Sequence, residues 1–238
     1  MKRKVIISSA LILLLIGCVS LITYHSLNNE DKHDEEEKAT KERIYQDIST
    51  LSIENNENVV LNYQKGFNNT DIIAELSIEN TDLVTPVAKG NDNEYYLNHL
   101  LDKSRNSLGS VFLDYRNNID DRKILIYGHN SENVYTEFHL LENYLDEEYY
   151  YDHDDITLKT VDNTYNYKIF SIYIATTNLQ HVNLNFTDTE YYEHLNWLKN
   201  NSIYDTGVTI DPNSEILVLQ TCYFGIDNSY LIIVAKKV

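Results

Sequence analysis

Ile216-Leu217-Val218-Leu219-Gln220-Thr221 is the stretch that decides the fold, and Cys222 follows directly at its end. A short apolar run of this kind predicts a β-strand. A second run, Lys123-Ile124-Leu125-Ile126-Tyr127, predicts another strand and leads into Gly128-His129. A thiol and an imidazole are therefore both predicted at strand ends.

The rest of the chain adds more strands than helices. Further strands are predicted at Ile73–Ile78, Val84–Val87, Ser110–Tyr115, Ile156–Thr160, Tyr165–Ala175 and Tyr230–Lys236. Helices are predicted at Glu94–Leu101, at Val134–Leu145 with Phe138, Leu141 and Leu145 facing the core, and at Asp188–Asn200 with Tyr192, Leu195 and Leu198 facing in. This order lacks a regular strand-helix-strand alternation. It predicts a mainly β fold, a closed or nearly closed barrel with inserted helices.

The N-terminus carries a membrane signal. Met1-Lys2-Arg3-Lys4 precedes an uncharged, mostly apolar stretch from Val5 to Thr23, which at roughly 1.5 Å per residue is long enough for a transmembrane helix. The basic residues favour a cytoplasmic N-terminus with the rest of the chain outside. A cleaved lipoprotein signal is the alternative, because Leu15-Ile16-Gly17-Cys18 resembles a lipid-attachment box. The apolar residues that continue past Cys18 favour the uncleaved anchor.

We therefore expect three regions. Residues 1–27 form the cytoplasmic N-terminus and membrane anchor, residues 28–70 a charged linker and helical N-terminal region, and residues 71–238 the main folded domain.

Charge excludes one class of partner. The chain has 19 basic and 37 acidic residues, and without Lys2, Arg3 and Lys4 the outer part keeps 16 basic residues against 37 acidic ones, a formal charge of −21. Binding to nucleic acid requires a basic surface that neutralises phosphates. We therefore expect no nucleic-acid partner.

Cys222 is the only cysteine outside the N-terminal apolar segment. A nearby imidazolium stabilises a thiolate and makes it a better nucleophile, so Cys222 and His129 are candidates for a catalytic pair. A cysteine among Val, Leu and Thr is also commonly a small core residue. The remaining histidines show no metal-ligand spacing and are predicted to be exposed or only partly buried: His25, His33, His99, His139, His153, His181 and His194.

Several motifs decide between these interpretations. They are Thr85-Pro86-Val87, Asp92-Asn93-Glu94-Tyr95-Tyr96-Leu97, Gly109-Ser110-Val111-Phe112-Leu113-Asp114-Tyr115-Arg116-Asn117, Ile126-Tyr127-Gly128-His129-Asn130 and Leu219-Gln220-Thr221-Cys222. In this order, from about Ala74 to Val238, the sequence resembles the sortases, in particular class B. That class has an extra helix before the strand that ends in the cysteine, which Asp188–Asn200 would supply.

The resemblance implies an eight-stranded sortase barrel and a membrane-anchored, extracellular cysteine transpeptidase of Gram-positive bacteria. Cys222 is then the nucleophile that forms a thioester with a sorting-signal peptide, and His129 transfers the protons. The implied partners are secreted proteins that bear a sorting signal and a peptidoglycan precursor amine. The resemblance implies no redox or metal cofactor. Class B signals resemble Asn-Pro-Gln/Lys-Thr-Asn/Ser.

Two positions depart from the family pattern. Tyr230 occupies the place of the family's oxyanion-stabilising arginine on the last strand. Two other cations are candidates to replace that arginine. Lys236 lies about 20 Å further along the same strand at roughly 3.3 Å per residue, and Arg116 lies on a neighbouring loop. Gln220 replaces the serine that contacts the signal peptide, whereas Thr221 is retained as a substrate-binding candidate. A sortase-shaped module that binds sorting signals without turnover is therefore the alternative function.

Overall fold

The computed structural model describes Tyr45 and residues 57–131 and 136–238. The predicted membrane anchor, the lipid-attachment box and most of the charged linker lie outside these residues. Within the described part of the chain, no helix has the length and apolar character needed to cross a bilayer.

Eight strands close into a barrel, as predicted. They are β1 Ile72–Ile78, β2 Val84–Ala88, β3 Phe112–Leu113, β4 Lys123–Tyr127, β5 Asp155–Thr160, β6 Thr164–Ala175, β7 Ile216–Tyr223 and β8 Ser229–Lys237. Around the barrel they follow the order β1-β2-β3-β4-β7-β8-β6-β5. β7 runs parallel to β4 and antiparallel to β8. The strand that carries Cys222 therefore lies between the strand that leads to His129 and the last strand of the chain.

The continuous apolar run of β7 reflects burial on both faces. Leu217 and Leu219 point into the main barrel core, whereas Ile216 and Val218 belong to a second apolar cluster outside the barrel wall. Successive side chains of a strand alternate between its faces. Both faces of β7 are thus covered, which fixes its register beside β4.

The second cluster is covered by helix α3, Asp188–Asn200, which has the predicted bounds. Its N-terminus has a capping box, in which Thr187 and Glu190 bond reciprocally to each other's backbone N–H. Leu195 and Leu198 are buried as predicted, but Tyr192 is exposed and Tyr191 takes the inward position. The prediction for Tyr192 was wrong by one residue because the buried face of α3 is set by the strands beneath it.

The other helices agree with the predicted pattern only in part. Helix α1, Val59–Phe67, lies in the predicted helical N-terminal region and is capped by Asn58 and by Asn68 in the left-handed conformation. Residues 137–145 form a 3-10 helix, Glu137–Leu145, in which Phe138 and Leu141 are buried and Leu145 is only partly buried. A short helix α2, Glu147–Tyr150, follows.

Two local predictions were wrong. Glu94–Leu101 forms turns rather than a helix. There the Asp92 carboxylate accepts hydrogen bonds from the backbone N–H groups of Glu94 and Tyr95, which stabilises a turn. The strand predicted at Ser110–Tyr115 is only the two residues of β3.

Candidate functional site

A cleft of about 320 Å³ opens where β4, β7 and β8 meet. It is lined by Asn93, Leu97, Phe112, Tyr127, Gly128, His129, Gln220, Thr221, Cys222 and Tyr230. The five predicted site residues, Cys222, His129, Tyr230, Thr221 and Gln220, therefore all line one cleft. Cys222 is half-buried there as a free thiol.

The parallel pairing of β4 with β7 brings the imidazole and the thiol to adjoining strand ends. The last register pair is Tyr127 with Gln220, so that two residues further along each strand lie His129 and Cys222. Contacts on both sides maintain this alignment. The Gly128 N–H donates to the Gln220 carbonyl at 3.2 Å, and Asn130 Nδ2 donates to the Cys222 carbonyl at 3.1 Å.

Thr221 acts in the same alignment. It is buried, and its hydroxyl donates to the Gly128 carbonyl at 2.8 Å. The proton of this hydroxyl is therefore used to join β7 to the end of β4.

The His129 ring is held by the backbone of the opposite wall. Its Nε2 lies 2.8 Å from the carbonyl oxygen of Leu97. A carbonyl oxygen only accepts hydrogen bonds, so Nε2 carries the hydrogen in this contact. In the neutral ring, Nδ1 is then the nitrogen that can accept a proton.

Cys222 differs from the expected stabilised thiolate. Burial raises the pKa of the Cys222 thiol above its ordinary value, because the charged form loses hydration. Burial thus favours the protonated thiol, which needs a base to become a nucleophile.

Tyr230 lines the cleft, whereas Lys236 and Arg116, the two cations that could replace the family's arginine, do not. Tyr230 lies opposite Cys222 in the β7–β8 ladder and lines the cleft. Lys236 pairs with Ile216 at the other end of the ladder and binds Asp211 at 3.3 Å. Arg116 is absent from the lining of the cleft.

Arg116 instead forms an ion pair with the buried Asp114 behind the cleft. Its Nε and Nη2 donate to the two carboxylate oxygens of Asp114 at 2.9 and 2.7 Å. The same carboxylate accepts from the Tyr127 hydroxyl at 2.8 Å and from Asn93 Nδ2 at 3.0 Å. Burial alone would raise the pKa of Asp114, but the hydrogen bonds, led by those of Arg116, hold it at about 2. An ionised Asp114 thus fixes two residues of the cleft, Tyr127 and Asn93.

Gly128 is required by a close approach. A Cβ at this position would lie 2.6 Å from atoms of the Phe138 ring. The absence of a side chain lets the 3-10 helix pack directly beneath the residue before His129. The glycine between Tyr127 and His129 is therefore a steric requirement of the site.

Two histidines predicted to be exposed or partly buried are buried against the outer wall of the barrel. His181, in the short 3-10 helix Gln180–Val182, is fully buried, and His194 of α3 is 5% exposed. The Lys123 ammonium lies 2.7 Å from His194 Nε2 and donates to the Asn183 carbonyl at 2.7 Å. Burial lowers the pKa of Lys123 to about 7.

The burial of these histidines was not predicted because sequence spacing does not reveal which loop covers the barrel.

Within the described residues, no group of three or more His, Cys, Asp or Glu side chains is arranged to hold a metal ion.

The chain forms a closed eight-stranded barrel with a thiol and an imidazole at adjoining strand ends. Comparisons with known proteins identify the class of protein that has this arrangement. The family model of the sortase domain matches residues 76–238, more than half of the chain. The chain therefore belongs to the sortase family.

Its relatives identify the class within that family as class B. The chain is 31% identical to sortase B of Listeria monocytogenes over 157 residues, which cover 65% of this chain and 63% of that protein. It is 27% identical to sortase B of Staphylococcus aureus over 242 residues, 99% of this chain and 97% of that protein.

Solved structures agree. The Clostridium perfringens sortase B structure matches with a TM-score of 0.68 and 28% identity, over 74% of this chain and 99% of that chain. A Staphylococcus aureus sortase B-substrate complex matches with a TM-score of 0.75 and 27% identity, over 86% of this chain and 97% of that chain. The resemblance seen in the motifs is thus confirmed. Membership of this family supports a transpeptidase function.

Proposed function

We propose that this protein is a membrane-anchored cysteine transpeptidase that cleaves a sorting-signal peptide through a thioester on Cys222 and transfers the bound protein to a cell-wall amine. The observation that carries the proposal is the convergence of Cys222 and His129 on one open cleft. Membrane attachment rests on the apolar segment from Val5 to Thr23.

In the first half-reaction, His129 takes the thiol proton at Nδ1 as the Cys222 sulfur attacks a backbone carbonyl carbon. The carbonyl π electrons move to oxygen and form a tetrahedral oxyanion. When the C–N bond breaks, the leaving amine takes the proton from the imidazolium. A thioester and a free amine-terminated fragment result.

In the second half-reaction, the incoming amine attacks the thioester carbon and gives a proton to His129. Collapse of the second tetrahedral intermediate breaks the C–S bond. The sulfur recovers a proton from the imidazolium, and a new amide bond is complete. Because the thiol begins and ends protonated, its raised pKa fits a cycle in which proton transfer accompanies each attack.

Tyr230 is the side chain best placed to serve the oxyanion. Its position opposite Cys222 offers one neutral hydroxyl donor, where an arginine would offer a charged fork. A single oxyanion donor typically contributes about 10²–10³ in rate. With the Tyr230 hydroxyl in place of an arginine, we therefore expect this protein to be a slow but active enzyme.

The amine acceptor and the signal are defined by chemical class. One solved sortase B structure is a complex with triglycine. Triglycine is therefore the amine acceptor that we choose for the experiment on this chain. The class B signal type, Asn-Pro-Gln-Thr-Asn, is the donor peptide.

The test is a mass measurement on the purified outer part of the chain incubated with the donor peptide. We expect an acyl adduct on Cys222 that disappears on addition of triglycine or hydroxylamine, with formation of the matching amide or hydroxamate. Cys222→Ala should give neither adduct nor product, and His129→Ala should slow both steps. Absence of an adduct and of cleavage across a broad set of sorting-signal peptides would overturn the proposal.

A further inference from the structure

Gln220 is fixed by a histidine that the catalytic cycle does not use. Gln220 is half-buried in β7 and lines the cleft. It lies two residues before Cys222, and side chains at this spacing lie on the same face of a strand. Its Oε1 is 2.8 Å from Nε2 of His181.

The chemistry of this contact is set by burial of the His181 ring. The ring is fully buried, and burial lowers its pKa to about 4, so the imidazole is neutral at neutral pH. A neutral ring carries one hydrogen, and the amide oxygen can only accept. The hydrogen therefore lies on Nε2 and is donated to Gln220.

This is the only hydrogen bond of the His181 ring in the described part of the chain, because Nδ1 has no partner there. A buried polar ring with one satisfied nitrogen is costly, and that one bond offsets part of the cost. The ring packs edge-on against Tyr173, with ring centroids 6.2 Å apart. Its position is therefore determined by packing and by Gln220 together.

The segment that carries His181 is also anchored independently of Gln220. Nη2 of Arg116, the residue paired with Asp114, donates to the carbonyl of Val182 at 3.1 Å. The ion pair behind the cleft thus holds the 3-10 helix Gln180–Val182 in place. Arg116 supports the cleft wall without entering the cleft.

We propose that His181 is a positioning residue that fixes the Gln220 amide with its oxygen turned into the protein and its NH2 group turned to the cleft, so that this subsite recognises a carbonyl oxygen of the acyl-donor peptide. Among the described residues, the hydrogen bond to His181 is the one hydrogen bond of the Gln220 side-chain amide. A planar amide whose oxygen is held has its NH2 on the opposite limb, which is free to donate. The inference rests on the proposed transpeptidase function and names the chemistry that the donor peptide must present.

Four variants test the inference. His181→Phe keeps a buried ring but removes the donor, so the Gln220 amide is free to rotate. We expect KM for the Asn-Pro-Gln-Thr-Asn peptide to rise about 5–10-fold, the loss of roughly one hydrogen bond, with kcat changed less than about twofold. His181→Gln returns an N–H donor on a side chain of similar reach and should recover most of the loss. Gln220→Glu keeps the oxygen that His181 binds but replaces the NH2, and should raise KM at least as much as His181→Phe.

Tyr173→Phe is the matched control. Its hydroxyl is buried without a hydrogen-bond partner in the described part of the chain and lies in the same aromatic contact with His181. We expect the KM of this variant to equal that of the wild type. Circular dichroism and melting curves would verify that all four variants fold.

The outcomes separate the inference from the proposed function. If the wild type turns over the peptide and His181→Phe leaves KM unchanged, or lowers kcat alone, the inference fails while the function stands. Equal effects of Tyr173→Phe and His181→Phe, or no recovery in His181→Gln, would reduce His181 to a structural residue and overturn the inference. If the wild type neither binds nor cleaves any sorting-signal peptide, the proposed function and the inference fail together.

A second readout does not depend on turnover. Long-range ¹H–¹⁵N correlation spectra of the wild type should show His181 as the Nε2–H tautomer from pH 5 to 8. A ring with its hydrogen on Nδ1, or one that titrates within this range, would contradict the assigned contact.

Discussion

Tyr230 of β8 lies directly opposite Cys222 of β7 in the antiparallel ladder, and both residues face the same cleft. The side chain nearest in register to the Cys222 thiol is therefore the phenol of Tyr230. A cation at this position would stabilise an oxyanion more strongly, since charged donors form stronger hydrogen bonds than neutral ones.

We predict that Tyr230→Arg raises the rate of thioester formation by roughly tenfold, which is less than the factor of about 10²–10³ attributed to a whole oxyanion donor because Tyr230 already offers one hydroxyl donor. Tyr230→Phe, which keeps the ring and loses the hydroxyl, should lower it. Single-turnover kinetics with a sorting-signal peptide would measure both. Equal rates for the three proteins would show that residue 230 does not contact the oxyanion.

The protonation state of Cys222 predicts a pH profile for alkylation. Because burial raises the pKa of the thiol, the thiolate is a minor species at pH 7 and its fraction grows as pH rises past the ordinary value. The rate of iodoacetamide modification of Cys222 should therefore still be rising above pH 9. A plateau that begins below pH 7 would indicate a stabilised thiolate and contradict this assignment.

Gly128→Ala tests the packing beneath His129. A Cβ at 2.6 Å from the Phe138 ring forces either the ring or the end of β4 to move. We expect a loss of about 1–3 kcal/mol in the free energy of unfolding and a fall in activity larger than the loss of folded protein explains. Urea denaturation and kinetics on the same samples would separate the two. The double variant Gly128→Ala with Phe138→Leu should recover activity if the clash is the cause.

The Asp114–Arg116 pair should matter for stability because its carboxylate is fully buried. Arg116→Met leaves that charge without its main partner. We expect a loss of roughly 2–3 kcal/mol, below the 3–5 kcal/mol typical of a fully buried pair because Arg116 is 39% exposed.

Arg122→Met is the matched control for this prediction. Arg122 pairs with Asp188, whose side chain is 98% exposed, so its removal should cost less than about 1 kcal/mol. Equal losses for the two variants would show that burial of Asp114 does not determine the effect.

Acid should destabilise the fold through its two buried histidines. The pKa of His181 is lowered to about 4 and that of His194 to about 3, in both cases mainly by burial. The unfolded chain binds these protons near pH 6.5, so the folded state is favoured above that value and loses stability as pH falls from 6.5 to 4. Urea denaturation at pH 7 and pH 4.5 should show a loss of a few kcal/mol. His181→Phe should lose less over the same interval, and a flat profile would contradict the prediction.

The elements predicted correctly from the sequence are those whose local residue pattern and tertiary contacts favour the same secondary structure. The strand Lys123–Tyr127 and the helix Asp188–Asn200 have the predicted bounds, because apolar periodicity and a helix cap are both local signals. β7 extends to Tyr223, so Cys222 lies within the ladder instead of beyond it. That extension depends on pairing with β8, which local sequence does not encode.

The turns at Glu94–Leu101 show what local reasoning misses. Tyr96 is buried there, and its hydroxyl donates to Asp71 and accepts from Asn69, 25 and 27 residues away along the chain. Such contacts override helical periodicity. In the site, Cys222 and His129 were found from the ends of apolar runs. The Asp114–Arg116 pair had a sequence signal, an acidic and a basic residue two positions apart at the end of the predicted strand Ser110–Tyr115. The contact of His181 with Gln220 had no such signal.

The position of β7 between β4 and β8 imposes an order of events on biosynthesis. Tyr230 is synthesised after Cys222, and the two residues align beside His129 only when β8 has paired with β7. A nascent chain whose β8 is still held by the ribosome therefore exposes a thiol without its completed surroundings. Pairing of β4 with β7 places Cys222 near His129, but Tyr230 reaches its position opposite Cys222 only when β8 joins the barrel, so the last strand of the described chain completes the lining of the cleft.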